Sequence, residues 1–331
     1  KMVLEPPLNI CSKIKTHDFI FDVCLPYVQN KIYSYNAFLE CLAPLIINNK
    51  LTKIPYVSLR AFKDRLFLSN QHKLFESCLL KIDVKGMDHS DLLDSCWKYK
   101  LYDSIFYMFS LGLNDCITPL KILLLEIENS EKHAHEKGNK IVKNIGILLT
   151  DPQNPQYFKQ IMKFLCEKYD SDDNKISWRY LKILIKFDFK VFVDILTLAF
   201  NRITQITNPV FLDNLKNTRN KLIHIVLQII FGDRNFSAKD VSIFFIFLSR
   251  QVSMDSEGIK LNKIMLYQIL ECLTSDVQTN AFEKQQALLG LLSSGAFDQL
   301  NFDSISELCF KLKYNLICEF IYEKQCKYDI L

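Results

Sequence analysis

Glycine and proline are scarce in this chain of 331 residues, at 8 and 9 respectively. A β-sandwich or barrel turns every roughly 8–12 residues and needs far more of both, so an all-β fold is excluded. The few glycines also fail to group. No G-x-x-x-x-G-K-S/T loop and no G-x-G-x-x-G turn occurs, and Gly138 and Gly146 stand too far apart to cradle a phosphate. A G-x-S-x-G nucleophile elbow is missing, and nothing pairs the cysteines with the histidines in sequence. Long apolar runs are missing too. Val241 to Leu248, one of the longest, is about half of the roughly 20 residues that cross a bilayer. Charge of one sign does not accumulate. Lys and Arg number 41 against 37 acids, a net of +4, and the signs are interspersed without the basic stripe of a nucleic-acid binder. No nucleic-acid partner and no membrane span are expected.

Cysteine is plentiful, at 11, but the count is odd and close pairs are missing. A disulfide framework does not fit. Cys24, Cys41, Cys166, Cys272 and Cys318 sit among apolar neighbours, where a free thiol behaves as a small hydrophobe. A reducing cytoplasmic setting suits that usage. Cys309, Cys318 and Cys326 lack metal-clamp spacing and read as helix-packing thiols. His133-Ala134-His135, with Glu131 and Glu136 nearby, cannot clamp one ion from a helix, because residues two apart point in different directions. Asp170-Ser171-Asp172-Asp173-Asn174 starts like a calcium loop, but Lys175 stands where Gly is required and Leu181 where the bidentate Glu is required. His224, within Leu222-Ile223-His224-Ile225-Val226, reads as a core or boundary residue. No catalytic, cofactor-binding or metal-ligating residue is therefore assigned, no cofactor is expected, and the chain does not read as an enzyme. The opening Lys1 and the close at Tyr328-Asp329-Ile330-Leu331 read as the edges of an excised fragment.

What is present is helical periodicity. Between Lys186 and Asn201, Phe192, Ile195, Leu196 and Ala199 recur at helical spacing, with Lys190 and Asp194 four apart on the other side as a weak pair. Leu222 to Phe231, Val241 to Gln251 and Ile264 to Leu273 repeat the pattern. Thr118-Pro119, Asp151-Pro152, Asn154-Pro155 and Asn208-Pro209 each offer a capping side chain before a proline that suits the first helical position. Ser237 and Asp240 have capping-box spacing. Gly86, Gly112 and Gly232 follow apolar stretches and suit helix ends. Phe244-Phe245-Ile246-Phe247, in a chain with 25 Phe, predicts a buried helix–helix seam or an apolar face for a partner. Polar loops are expected at Glu128 to Asn139, Tyr169 to Lys175 and Ser253 to Gly258. The first divides residues 1–128 from residues 140–331, read as two continuous parts of one array.

One internal repeat stands out. Aligned without gaps, Cys96-Trp97-Lys98-Tyr99-Lys100-Leu101 matches Cys309-Phe310-Lys311-Leu312-Lys313-Tyr314, Met108 meets Ile321 and Phe109 meets Tyr322. Each copy reads as a helix, a tight turn near Lys98–Lys100 or Lys311–Lys313, and a second helix. Such a hairpin cannot bury its apolar face alone, and stacked neighbours supply the missing core. The expected fold is all-α, an α-solenoid of stacked antiparallel helical hairpins.

Several segments in order carry a resemblance. Leu101-Tyr102-Asp103-Ser104-Ile105 is followed by Gly112 and Thr118-Pro119-Leu120, then by Tyr180 to Asp188 running into Phe192 to Phe200. Ile246-Phe247-Leu248-Ser249-Arg250-Gln251, Gln285-Gln286-Ala287-Leu288-Leu289 and Ile317 to Lys324 follow, with Tyr328-Asp329 last. From about Leu92 onward this series resembles the central helical region of the vacuolar protein sorting-associated protein 8 family. The resemblance implies clathrin-heavy-chain-like repeats and a subunit of the CORVET tethering complex on the cytosolic face of early endosomes. It implies the other CORVET and class C vacuolar sorting subunits as partners, with an endosomal Rab GTPase and peripheral membrane association through them. The family's β-propeller and RING-like segments are not seen in these residues, which puts contacts dependent on them in doubt. A scaffold of another vesicle coat or adaptor has the same fold physics. A helical enzyme with a site built from distant residues would need a deep pocket with converging polar groups. Partner-binding residues are not legible.

Overall fold

The computed structural model describes residues 19–29, 32–129, 134–151, 154–170, 176–206, 208–232, 236–259, 261–275, 281–296 and 302–325. It divides into two compact units, Lys1–Leu123 and Leu124–Leu331. Both are helical, and the fold is all-α.

In the first unit a π-helical turn, Phe19–Cys24, leads into α1 (Leu25–Gln29) and α2 (Ile32–Ile47). Next come α3 (Tyr56–Leu68), α4 (His72–Leu79), α5 (Ser90–Lys98) and α6 (Tyr102–Tyr107), which continues as a π-helical turn over Met108–Gly112. α7 (Thr118–Asn129) holds the division between the units within it. α2, α4 and α6 pack in succession, with α3 against α2 and α4 and α5 against α6. Phe38, Phe62 and Phe75 are fully buried among them. The buried Lys63 ammonium reaches across to α5, donating to Asp91 at 2.7 Å and to Ser95 Oγ at 3.2 Å. A lysine can sit in that core only because its charge is paired. His89 is buried too, its Nε2 2.9 Å from the Val84 carbonyl. A Cβ on Gly112 would fall 2.2 Å from that ring nitrogen, so the chain needs glycine there.

The second unit runs α8 (Ala134–Thr150), α9 (Pro155–Leu165), α10 (Arg179–Phe187), α11 (Phe189–Ile203), α12 (Pro209–Gly232), α13 (Ala238–Met254), α14 (Lys263–Leu273), α15 (Ala281–Ser293), α16 (Phe302–Lys311) and α17 (Asn315–Lys324). α8, α11, α13, α15 and α17 pack side by side in that order. α12 lies against α9 and α11, and α14 against α13 and α15. α8, α11 and α13 run parallel. Arg202, at the end of α11, donates to the carbonyls of Leu149 and Asp151 at the end of α8. Gln251 near the end of α13 donates to Asn201 of α11 at 3.2 Å. This layered stacking is the solenoid logic expected from the hairpin repeat. Gly138 permits α10 to pack closely on α8, since a Cβ there would fall 2.2 Å from the Phe187 ring.

The two repeat copies fold alike down to their turns. In the first, Tyr99, Lys100 and Leu101 donate their N–H groups to Ser95, Trp97 and Cys96 at 3.1, 3.2 and 2.9 Å. In the second, Leu312, Lys313 and Tyr314 donate to Leu308, Phe310 and Cys309 at 3.2, 3.1 and 2.9 Å. Lys100 and Lys313 occupy the left-handed position of each turn, at φ 56° and 60°. This is the Schellman closure, in which the helix's last carbonyls find donors. Asn49 and Asn70 serve the same turn after α2 and α3, at φ 54° and 55°. Asn tolerates this region and Lys does so at a cost of roughly 1 kcal/mol. Replacing Lys313 by Gly is therefore expected to raise the urea midpoint modestly, and a lowered midpoint would count against strain in this turn.

Several expectations need adjustment. The helix expected over Lys186 to Asn201 is broken at Asp188, whose φ of −155° is extended and whose carboxylate accepts from Val191 N at 3.0 Å to start α11. A helix N-cap has displaced helix continuity. Lys190 and Asp194 form no ion pair among the described residues, and both line a groove instead. Tyr169–Asp170 pairs antiparallel with Ile176–Ser177, a two-residue ladder where only a loop was expected. Asp115, ahead of the predicted Thr118, accepts from Ile117 and Thr118 at the start of α7, at 2.9 and 3.0 Å. Asn154 makes no capping bond and donates to Asp151 instead, at 2.7 Å. Asn208 caps α12 through Phe211 N at 3.1 Å. Ser237 and Asp240 form the full capping box, with Asp240 N on Ser237 Oγ at 3.2 Å and Ser237 N on Asp240 Oδ2 at 3.0 Å. Gly112 closes the π-helical turn and Gly232 ends α12, while Gly86 turns the loop between α4 and α5 at φ 75°. Pro152 lies outside the described residues.

Candidate interaction surface

The phenylalanine run on α13 is a seam. Phe244, Phe245 and Phe247 are 1%, 3% and 4% exposed. Phe244 faces Phe189 and Phe247, Phe245 faces Phe231 of α12, and Phe247 faces Phe200 of α11. α13 has neighbours on several sides, so aromatic side chains around much of its circumference are buried. None of these three rings is free to meet a partner.

The thiols are equally committed to packing. Burial pushes Cys78, Cys96, Cys116 and Cys309 up to about 12, and Cys166 up to about 11. Cys272 and Cys318 are raised for the same reason. A thiol so far above neutrality carries almost no thiolate, the nucleophilic form. Under native conditions, Cys78, Cys96 and Cys309 are expected to resist Ellman's reagent for as long as the chain stays folded, and all three to react on unfolding. Peptide mapping by mass spectrometry reads this out, and rapid native labelling of Cys96 would show an opened core.

The remaining single residues do not converge. His135 is exposed, 3.0 Å from Asn139 and tilted against the Phe187 ring; His133 and Glu131 lie outside the described residues. His224 is exposed, where a core or boundary place was expected. Lys221, His224 and Gln228 form the outward stripe of α12, and Leu222, Ile223, Ile225 and Val226 take the buried side. Asp170 pairs in the short ladder, and Ser171 to Lys175 lie outside the described residues, as does Cys326. Among the described residues no group of three or more His, Cys, Asp or Glu is placed to hold a metal ion. No helix described is long and apolar enough to cross a membrane.

Grooves are present among the described residues of the second unit. One of about 540 Å³ lies between α9 and α12, bordered by Pro155, Arg202, Asn208 and Phe211. Its only guanidinium, on Arg202, is already engaged by two backbone carbonyls and lies over the Phe158 ring. A second, of about 380 Å³, lies between α7 and α10, where Arg179 is held by Glu128 at 2.6 Å. A third, of about 350 Å³, runs along α11 and α13 and touches α15. Each is an open channel between helices, lined by apolar and charged side chains. The hydroxyl among their lining residues, on Thr197, already donates to the Val193 carbonyl at 2.9 Å. The arrangement fits docking better than bond-making chemistry.

A family model described as Vps8 central TPR matches residues 37–151. Vacuolar protein sorting-associated protein 8 homologs from Mus musculus and Homo sapiens are similar along nearly the whole chain. They are 26% and 25% identical over 346 aligned positions, covering 97% of this chain and 24% of each relative. The chain is similar to the Vps8 family. Its match is to the central region, and it spans about a quarter of the length of those curated relatives. The Drosophila melanogaster homolog is 21% identical over 314 positions, covering 90% of this chain and 25% of the relative. No solved structure matches. The chain similar to these proteins is helical in both of its units, and its candidate functional features are surfaces. Sequence reasoning had no access to them. Lys190 and Lys239 share a groove although they are far apart in the chain, and no linear spacing announces that.

Proposed function

We propose that this chain is a structural and interaction scaffold within an endosomal membrane-tethering complex of the CORVET type. In this reading the stacked hairpins act as a stiff strut. They hold other class C vacuolar sorting subunits at set positions, support vesicle tethering at early endosomes, and so serve endosome-to-vacuole protein transport. Recruitment to the cytosolic face of the membrane goes through partners, an endosomal Rab GTPase among them. The observation that carries the proposal is similarity to vacuolar protein sorting homologs along 97% of the chain. The layered helices, with grooves in place of a catalytic constellation, support it.

The purified chain is tested for capture of the class C subunits and of a GTP-loaded endosomal Rab. At least one is expected to bind, in step with a folded helical spectrum. A chain that is folded yet captures none of them overturns the scaffold reading for this segment. Capture of coat components in their place would transfer it to a coat or adaptor.

A further inference from the structure

The α11–α13 groove differs from its neighbours in how its charge is placed. Lys190 and Lys239 stand at one end, in the first turns of α11 and α13. Neither has an ion-pair partner among the described residues. The two helix N-termini add positive potential at that end, although Asp188 and Asp240 cap them. At the other end Arg250 lies 3.8 Å from Glu283 of α15, so those charges offset each other. Asp194 stands one turn inward from Lys190. The lining as a whole carries one positive charge in excess, concentrated at the lysine end.

Between the ends the floor is apolar. Val193, Ile246 and Phe247 are almost fully buried there, with Ile243 partly open above them. Thr197 does not ask for a polar ligand, because its hydroxyl already donates to the Val193 carbonyl at 2.9 Å. Met254 closes the far end, 61% exposed, with a flexible thioether that adapts to what it meets. From Lys239 to Met254 the channel follows α13 for roughly 22 Å at 1.5 Å per residue. That is the length of about six or seven extended residues.

We infer that this groove docks a short linear peptide of a partner protein, with an acidic residue seated on Lys190 and Lys239 and an apolar side chain over Ile243. The inference rests on the scaffold reading, since it names the kind of segment the scaffold holds. A nucleic acid or an anionic membrane does not suit the site. Two free lysines interrupted by Asp194 and Glu283 are no polyanion track.

The test pans a phage-displayed library of random twelve-residue peptides against the purified chain, followed by anisotropy with the best selected peptide in synthetic form. Selected peptides are expected to carry Asp or Glu within two positions of Leu, Ile or Phe, and to bind more weakly as salt rises. The Lys190→Glu/Lys239→Glu variant is expected to weaken binding at least tenfold, and so is Ile243→Asp. Lys221→Glu, on the outward stripe of α12, leaves it unchanged. The lysine variant keeps its fold, because Glu is favourable in the first turn of a helix, and its melting curve checks this. No consensus, a basic consensus, or a selected peptide indifferent to the lysine pair overturns the groove. So does a concentration-dependent dimer that Ile243→Asp abolishes, which would seat a second copy there. Subunit capture by the lysine variant separates the two readings. If the groove fails on these counts while wild-type capture persists, the scaffold stands without it.

Discussion

Replacing Asp255 with alanine is expected to remove about 3–5 kcal/mol of folding stability, more than most single substitutions in the chain. Arg219 is fully buried on α12 and donates from its terminal nitrogen to Asp255 Oδ2 at 2.7 Å. The other carboxylate oxygen accepts from Gly258 N at 3.0 Å, and Asn220 donates to the Gly258 carbonyl at 2.9 Å. The turn between α13 and α14 is thereby clamped onto α12. Without the carboxylate, a guanidinium remains in the core with no counter-charge, which is where the cost comes from. Removing both charges, as in Arg219→Met with Asp255→Asn, is expected to recover most of the loss, because Asn still accepts from Gly258 and Met still fills the space. Urea midpoints of the wild type and the two variants decide this. A loss below about 1 kcal/mol for Asp255→Ala would show that water reaches Arg219.

The same pair makes stability depend on pH. Burial alone would raise the Asp255 carboxyl, but the Arg219 hydrogen bond and charge, Lys216 and the Gly258 N–H outweigh it and hold it below the usual carboxylate range. A carboxyl lowered in the folded state contributes fully above its unfolded value and ceases to contribute as pH falls through the folded one. The wild type should accordingly lose more stability on acidification than the Arg219→Met/Asp255→Asn variant.

How much of this was legible in sequence follows the range of each interaction. Contacts within one turn were readable: the Ser237–Asp240 box, the Asn208 cap and the paired turns after Cys96 and Cys309. These depend on neighbours in the chain. The break at Asp188 was missed because the apolar pattern runs through it, while a capping carboxylate acts in three residues. The outward place of His224 was missed because its neighbours are apolar on both sides, although Lys221 and Gln228 mark the exposed stripe. The Lys63–Asp91 and Arg219–Asp255 pairs, 28 and 36 residues apart, left no local signal at all. The candidate groove belongs to this last class. Helices in one row of a solenoid place side chains together at intervals set by the hairpin length, so the surface is composed by stacking.

Phe244→Ala is expected to cost about 3–5 kcal/mol as well, and for a different reason. The ring is 1% exposed and lies 6.5 Å from Phe189 and 5.7 Å from Phe247, centre to centre. Truncation removes the apolar transfer free energy and leaves a cavity between α11 and α13 that those helices would have to close. Both are fixed by their own neighbours, so collapse is incomplete. Phe244→Leu, which fills part of the space, should cost distinctly less. Phe310→Ala is the contrast: that ring is 73% exposed at the end of α16, and its loss should change stability by under about 0.5 kcal/mol. Composition treats the two phenylalanines alike, and only the position of α13 between α11 and α15 separates them. In a stack where each helix leans on the next, the Phe244 cavity should also speed amide exchange in α11 and α15. Exchange unchanged in both helices, together with a small loss of stability, would mean that α13 does not join them.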